Sequence, residues 1–431
     1  MAILTLRKRR PSAMELPDDP GWRAVFEEVG ISAVTAPSPG ALYGDTAIID
    51  AAFAWYRANG FPYRKLPIHV CMQQINRLAQ MDFDALLATT AALQVADTYN
   101  PHRFHAAAEG MRSPYDSFME DRRLRAALEK EWRYHGVLGD GLFSWLRLVS
   151  GTQACANFRP GFATYLYRQY CQKGARVLDT STGYGGRLVG FLASGIAGQY
   201  VGIDPNVPTC EGNARLARDL APEGGVDLIC MPAEDVPVER IGAESCSFAF
   251  TSPPYFRKEH YSDDPTQSWV RYGEDKTGEA WRVGFLEPMM RLQFACLRPG
   301  AFAIVNIADV HLGSRHYPLA EWCVQAGISA GFEYVQRYDF GLQHRVGANQ
   351  KSVEVVDERA QALYGDEWAR ENTASQSFVG SEPVLVFRRG AVSASHGQRP
   401  AVVVTGVSEI ALVDQPSEEE TEGDTSSAAI P

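Results

Sequence analysis

Two stretches of the chain carry residue types and spacings suited to chemistry. The first is Asp179-Thr-Ser-Thr-Gly183-Tyr-Gly185-Gly186, directly after a strand-like run and directly before a helical one. Glycines at such a turn let a ligand approach the backbone closely, and the start of the helix offers free N–H groups. Asp204 lies 25 residues beyond Asp179, at the end of the next strand-like run, Tyr200 to Asp204. An acid at that place can bind both hydroxyls of a ribose. The pair fits a nucleoside-type ligand, although a nicotinamide site would look similar and no clean Gly-x-Gly-x-x-Gly is present. The second stretch is Thr251-Ser252-Pro253-Pro254-Tyr255-Phe256, after the run Ser247 to Phe250. Two prolines at a strand end stop pairing and hold a rigid extended backbone. Their carbonyls and the Ser252 hydroxyl can accept hydrogen bonds from a planar amino group, and Tyr255 can stack on the ring that bears it.

The elements that must position these residues follow from periodicity. From about residue 155, short β-rich runs alternate with helical ones. Strands are predicted at Arg176–Asp179, Tyr200–Asp204, Asp227–Cys230, Ser247–Phe250, Ala301–Ile307, Tyr334–Phe340 and Pro383–Arg388, with helices at Arg187–Ala193, Cys210–Leu220 and Trp281–Leu297. That alternation indicates an α/β fold, an open and mostly parallel sheet with helices on both faces and ligands at the carboxyl ends of the strands. Upstream the pattern is helical, at Thr46–Asn59, Ile68–Gln80, Phe83–Ala96 and Asp121–Tyr134. The expected organisation is a basic arm over 1–20, a helical region over 21–150, an α/β domain over 151–390 and an acidic, solvated tail over 391–431.

Composition sets the class. The 431 residues are 45% hydrophobic and 22% charged, which excludes a wholly disordered chain. No apolar run approaches the roughly 18 residues of a membrane span. The apolar start, Met1 to Leu6, precedes the charges Arg7 to Arg10, the reverse of a secretory signal, so a cytoplasmic location is expected. The eight cysteines are scattered without a Cys-x-x-Cys pair and read as reduced, mostly buried thiols. Seven of the eleven net negative charges come from the acids after Arg399, so the rest of the chain is nearly balanced and an acidic total argues only weakly against a nucleic-acid partner. His102 and His105 have helical spacing but no carboxylate or thiol partner in the sequence around them, and no metal is expected. No nucleophile elbow or phosphate loop occurs.

Together the glycine loop and Ser252-Pro253-Pro254-Tyr255 resemble the DNA amino-methyltransferases, which use S-adenosylmethionine to methylate an exocyclic amine of cytosine or adenine. The resemblance spans roughly residues 156–390. It implies a Rossmann-like class I methyltransferase domain with a seven-stranded sheet. It also implies direct methyl transfer to a base flipped out of DNA, cytosine N4 more than adenine N6 because the motif begins with Ser. Under it, Ser252, Pro253, Pro254 and Tyr255 are catalytic. Asp179, Thr180, Gly183 and Gly185 hold the methionine end of the cofactor, Asp204 the ribose, and Asp235 the adenine amine. Asn157 to Phe162 would close over the cofactor. Thr180 and Ser181 stand where the family has Pro-Phe, so the aromatic contact to the methionine chain is either missing or supplied elsewhere, with Phe162 and Tyr184 as the candidates. Methylation of cytosine carbon-5 needs a thiolate in a Pro-Cys context, which this sequence lacks. The family often inserts target recognition after the catalytic motif. Here 257–282 interleaves basic and aromatic residues, with Arg257, Lys258, Tyr261, Trp269, Arg271 and Tyr272 expected on DNA, joined by Arg345 in a second basic loop. RNA or protein amides are alternative acceptors, and a catalytically silent DNA-binding or assembly module is the alternative of another class. The context such chemistry implies is restriction-modification, a defence system or a phage partner protein.

Overall fold

Val177, Leu178, Tyr200, Val201, Ile203, Phe248, Ala249 and Phe250 are all buried, the near-continuous apolar runs that parallel strands covered on both faces require. The computed structural model describes residues 46–135, 142–149, 151–341 and 381–390. The expected arm over 1–20, the tail over 391–431 and the loop bearing Arg345 lie outside the described residues.

Seven strands form one sheet: β1 (Arg176–Asp179), β2 (Gln199–Asp204), β3 (Val226–Cys230), β4 (Cys246–Thr251), β5 (Leu297–Asn306), β6 (Phe332–Gly341) and β7 (Ser381–Arg389). Their spatial order is β6-β7-β5-β4-β1-β2-β3. β7 is antiparallel to both neighbours, and the other pairings are parallel. This is the mostly parallel, seven-stranded α/β sheet expected from the sequence, with each strand within a few residues of its predicted bounds.

Because successive side chains point to opposite faces, Val177 and Leu178 belong to different cores. On one face Val177, Phe248 and Phe250 pack with α1 (Pro160–Tyr170) and α2 (Gly186–Ser194). The same core takes Ile75, Leu86 and Val95 from the upstream helices Ile68–Ala79, Phe83–Ala88 and Leu93–Tyr99. On the other face Leu178, Val201 and Ile203 pack with α4 (Glu287–Cys296) and α5 (Leu319–Ala330). Helix α3 (Val207–Leu220) follows β2. A third cluster around Tyr56, Phe118, Leu124 and Leu146 joins helices Thr46–Asn59, Pro114–Met119, Asp121–His135 and Leu142–Leu148.

Three elements depart from the sequence expectation. The helix expected over Phe83–Ala96 is broken in two, because Ala92 adopts a left-handed φ of 62° between the pieces. The helix expected over Trp281–Leu297 contains a π segment, Arg282–Leu286, before α4. Pro288 has no N–H to give to the Gly284 carbonyl, and a widened turn ahead of it accommodates the missing bond. Helix α5 and a hairpin, Val310–Leu312 with Arg315–Tyr317, had no counterpart in the sequence reading. No helix among the described residues is long and apolar enough to cross a membrane.

Candidate active site

From β1 the chain runs outward through β2 and β3, then returns to β4 on the other side of β1. A crevice opens at the carboxyl ends of strands at such a switch point. Both singled-out stretches begin there, at Asp179 ending β1 and Thr251 ending β4. A cavity of about 320 Å³ fills the crevice, within the size range of small-molecule sites. Thr180 to Tyr184, Asp204, Glu234, Ser252 to Tyr255 and Asn306 all line it.

The glycine loop is fixed from behind. Asp179 is fully buried, and its carboxylate accepts hydrogen bonds from Arg187 Nε at 2.8 Å and Tyr200 Oη at 2.6 Å. Arg187 also donates to the Ser181 carbonyl. Burial pulls the Arg187 guanidinium down, but the adjacent Asp179 carboxylate outweighs it and the net displacement is upward. Gly183 and Gly185 take positive φ of 57° and 81°, conformations that side chains disfavour. At Gly186 a Cβ would stand 2.1 Å from the Phe158 carbonyl oxygen, so glycine lets α2 start against the segment before α1.

Asp204 faces the cavity, with each carboxylate oxygen already accepting one backbone N–H: Oδ2 from Gly183 at 2.8 Å and Oδ1 from Asn206 at 2.9 Å. Burial raises its pKa and the two N–H donors oppose the rise; the net is a carboxyl pushed up to about 6. Three buried polar atoms of cavity-lining residues have no partner among the described residues: Thr182 Oγ1, Tyr184 Oη and Gln267 Nε2. Burial also holds the Tyr184 phenol well above its ordinary range.

On the opposite wall, Asn306 at the end of β5 organises the Pro-Pro turn. The Ser252 hydroxyl donates to Asn306 Oδ1 at 3.4 Å, and Tyr255 Oη approaches both Asn306 oxygens at 3.3 Å. Asn306 Nδ2 in turn donates to the Pro383 carbonyl on β7 at 3.0 Å. Lys258 Nζ lies 5.1 Å from the centre of the Tyr255 ring. Phe256 has a left-handed φ of 50°, a strained conformation for an aromatic residue, and its ring is buried against Trp281 and Tyr317.

Of the residues singled out for a cofactor, Thr180, Gly183, Tyr184 and Asp204 line the cavity, whereas Phe162, Asp179, Gly185 and Asp235 do not. Phe162 is stacked against Phe158 inside the core, and Phe158 is the aromatic on the wall. Asp179 acts through the loop that it anchors. Gly185 is packed beneath Asn213 and Asn100. Glu234 rather than its neighbour Asp235 lines the cavity, and Arg271 pairs with both at 2.8 Å. All four catalytic candidates, Ser252, Pro253, Pro254 and Tyr255, are on the wall.

The segment over 257–282 is built differently from an open recognition surface. Arg257 pairs with Glu109 at 2.7 Å and Arg271 with the two acids above. The Trp269 indole donates to the Ser262 carbonyl and sits edge-on to His260, while Tyr272 packs over Gly284. Tyr261 is bonded to Glu259 at 2.6 Å and lines the cavity beside Lys258, Thr266, Gln267 and Ser268. This segment therefore forms a cavity wall. Among the described residues no group of three or more His, Cys, Asp or Glu is placed to hold a metal ion. His102 is bonded to Thr209 Oγ1 at 2.8 Å and His105 is stacked on Tyr115.

Sequence reasoning missed Asn306 and took Asp235 in place of its neighbour Glu234; Phe158 and Gln267 lie within the stretches 157–162 and 257–282 already singled out. No family model matches the chain, and no curated protein does. Among solved structures, the [4+2]-cyclase SpnF aligns with 55% of this chain and 84% of its own, at 15% identity and a TM-score of 0.35. A geranyl diphosphate methyltransferase bound to GPP and sinefungin aligns with 59% and 86%, at 13% identity and 0.34. TrmN from Thermus thermophilus aligns with 54% and 49%, at 16% identity and 0.32.

Proposed function

We propose that the chain is an S-adenosylmethionine-dependent methyltransferase acting on an exocyclic amine of a DNA base, cytosine N4 before adenine N6. The observation that carries this reading is that one cavity is walled on one side by Thr180–Gly183 and Asp204 and on the other by Ser252–Tyr255.

The residues fit that cofactor. Asp204 has a carboxylate on the cavity with lone pairs left for ribose hydroxyls, and Thr182, Tyr184 and Gln267 bring polar atoms that the chain itself leaves unpartnered. S-adenosylmethionine supplies an electrophilic methyl group on a positively charged sulfur. The protein's part is to place an amine in line with it. In a duplex that amine is paired and stacked, so the base must be flipped out. Ser252 and the Pro253 carbonyl accept hydrogen bonds from the amine and draw its lone pair out of the ring system. Tyr255 stacks on the base, with Asn306 holding both side chains. Held by these residues, the cofactor would supply the methyl group, the electron pair of its carbon–sulfur bond remaining on sulfur, and the surplus amine proton would pass to solvent. Positioning and fixed dipoles do the work, without a covalent intermediate or strong base.

The test is transfer of tritium from labelled S-adenosylmethionine to DNA, with nucleosides resolved by mass spectrometry. N4-methylcytosine is the expected product. N6-methyladenine would keep the mechanism and overturn the base assignment. Label found in RNA or protein only, with the cofactor bound, would overturn DNA as the substrate. Tyr255→Ala should abolish most turnover while cofactor binding persists; full activity in that variant would refute stacking on the base.

A further inference from the structure

Beside the catalytic turn lies a second, open cleft of about 600 Å³, lined by Glu109, Arg257, Lys276, the hairpin residues His311 to Arg315, and Tyr317. Its cationic groups come from two walls. One is the loop after Gly273, bearing Lys276; the other is the hairpin Val310–Leu312 with Arg315–Tyr317. The walls are clamped together, because Arg315 Nη1 and Tyr317 Oη both donate to the Lys276 carbonyl at 2.7 Å. Lys276, His311 and Arg315 are exposed. Glu109 is the one carboxylate among the lining residues, and Arg257 binds it. No carboxylate of the described residues lies within ion-pair distance of Lys276 or Arg315.

The cleft is mechanically continuous with the active site. Arg257 follows Tyr255 by two residues, and the Tyr317 ring packs on Phe256 with centres 5.0 Å apart. The hairpin begins four residues after Asn306, which holds Ser252 and Tyr255. Arg257 on the cleft and Tyr255 on the cavity wall are two residues apart, which ties the two linings together.

We infer that Lys276 and Arg315, with His311 beside them, hold the phosphodiester backbone of the DNA strand whose base enters the cavity. The inference rests on the proposed acceptor. It puts the strand-holding cations on the hairpin and its facing loop, since Arg257 and Arg271 are spent on acids inside the protein. The contact is electrostatic and blind to sequence, as phosphate contacts are.

The experiment measures binding of a fluorescein-labelled DNA duplex to the full chain, loaded with S-adenosylhomocysteine, between 0.05 and about 0.5 M salt. Each phosphate contact contributes about 0.9 to the slope of log affinity against log salt. Lys276→Ala should lower the slope by about 0.9 and weaken binding about eightfold at 0.1 M salt relative to a 1 M reference. Lys276→Glu should weaken it further, and Lys276→Arg should restore it. Cofactor affinity should be unchanged in all three, which separates lost contact from lost fold. Unchanged slope and affinity in Lys276→Ala and in Arg315→Gln, with a wild type that methylates DNA, would overturn the inference alone. A wild type that neither binds nor labels DNA would overturn it together with the substrate reading.

Discussion

Asp204→Asn is a near-isosteric change with two separable consequences. In the folded chain the two carboxylate oxygens serve different backbone donors, Gly183 N–H on Oδ2 and Asn206 N–H on Oδ1. An amide offers one oxygen, so one N–H is left facing an NH2 group. An unsatisfied buried donor costs about 1–3 kcal/mol, but the change also removes a charge that burial disfavours at neutral pH, so the two contributions oppose and the urea midpoint should move little, with the slope of the transition unchanged. The second consequence falls on the ligand. Two hydrogen bonds from ribose hydroxyls to a charged acceptor become bonds to a neutral group, at a loss of about 1 kcal/mol each. Cofactor affinity should then drop about 30-fold. Urea unfolding followed by circular dichroism reads the first effect, and calorimetric titration with S-adenosylmethionine at pH 7.5 reads the second. A variant with wild-type affinity would refute ribose binding by Asp204. A loss of the full donor penalty, about 1–3 kcal/mol, would refute the account of a charge disfavoured by burial and leave the ribose contact standing.

Protonation of the same group gives a pH test. The carboxyl is pushed up to about 6 in the free protein, and the ligand's hydroxyls favour its charged form, so affinity should be flat above pH 7 and fall as pH drops through 6, by up to about tenfold per unit; titrations between pH 5 and 8 check this, and a flat profile would contradict it. Arg187→Met leaves Asp179 charged and fully buried, and should cost about 3–5 kcal/mol of stability; the double change Arg187→Met with Asp179→Leu should regain much of it. Chemical denaturation of both variants and the wild type decides, and an Arg187→Met variant as stable as wild type would show that the pair does not anchor the loop. Asn306→Ala removes the side-chain acceptor of Ser252 and Tyr255, and should lower kcat by about tenfold with cofactor affinity unchanged; a rise in KM for the cofactor with unchanged kcat would place Asn306 elsewhere in the mechanism.

Much of this architecture was legible because it is written locally. Strands β1 to β5 each contain a short apolar run, and the glycine loop and Pro-Pro turn mark the ends of two of them. The misplacements arise where tertiary pairing decides. Nothing in the spacing of Phe158 and Phe162 says which one faces the cavity: Phe158, just before α1, packs edge-on to Phe250 and lines it, while α1 turns Phe162 into the core. Glu234 and Asp235 are equivalent as letters, and only the turn after Pro232 gives one of them the cavity. Arg257 and Arg271 looked like free cations because their partners, Glu109 and Glu234, lie 148 and 37 residues away in sequence. Asn306 sits 51 residues beyond Tyr255 at an ordinary strand end, and no local pattern distinguishes it.

The two halves of the cavity are both tied to one short upstream stretch. Asn100 Nδ2 donates to the Tyr184 carbonyl at 3.1 Å and to Asn213 Oδ1 at 3.0 Å, beneath the glycine loop. Seven residues later, Ala107 and Ala108 pair with His260 and Glu259, and the Glu109 N–H donates to the Lys258 carbonyl at 3.0 Å, just past the Pro-Pro turn. Residues 100–109 are thus a strut between the place where a donor would be held and the place where an acceptor would be held. The distance between reacting partners is set partly by a segment that touches neither of them. Paring the chain back to its sheet and flanking helices would remove that gauge, and the sheet domain is not a unit that could be lifted out and reused alone.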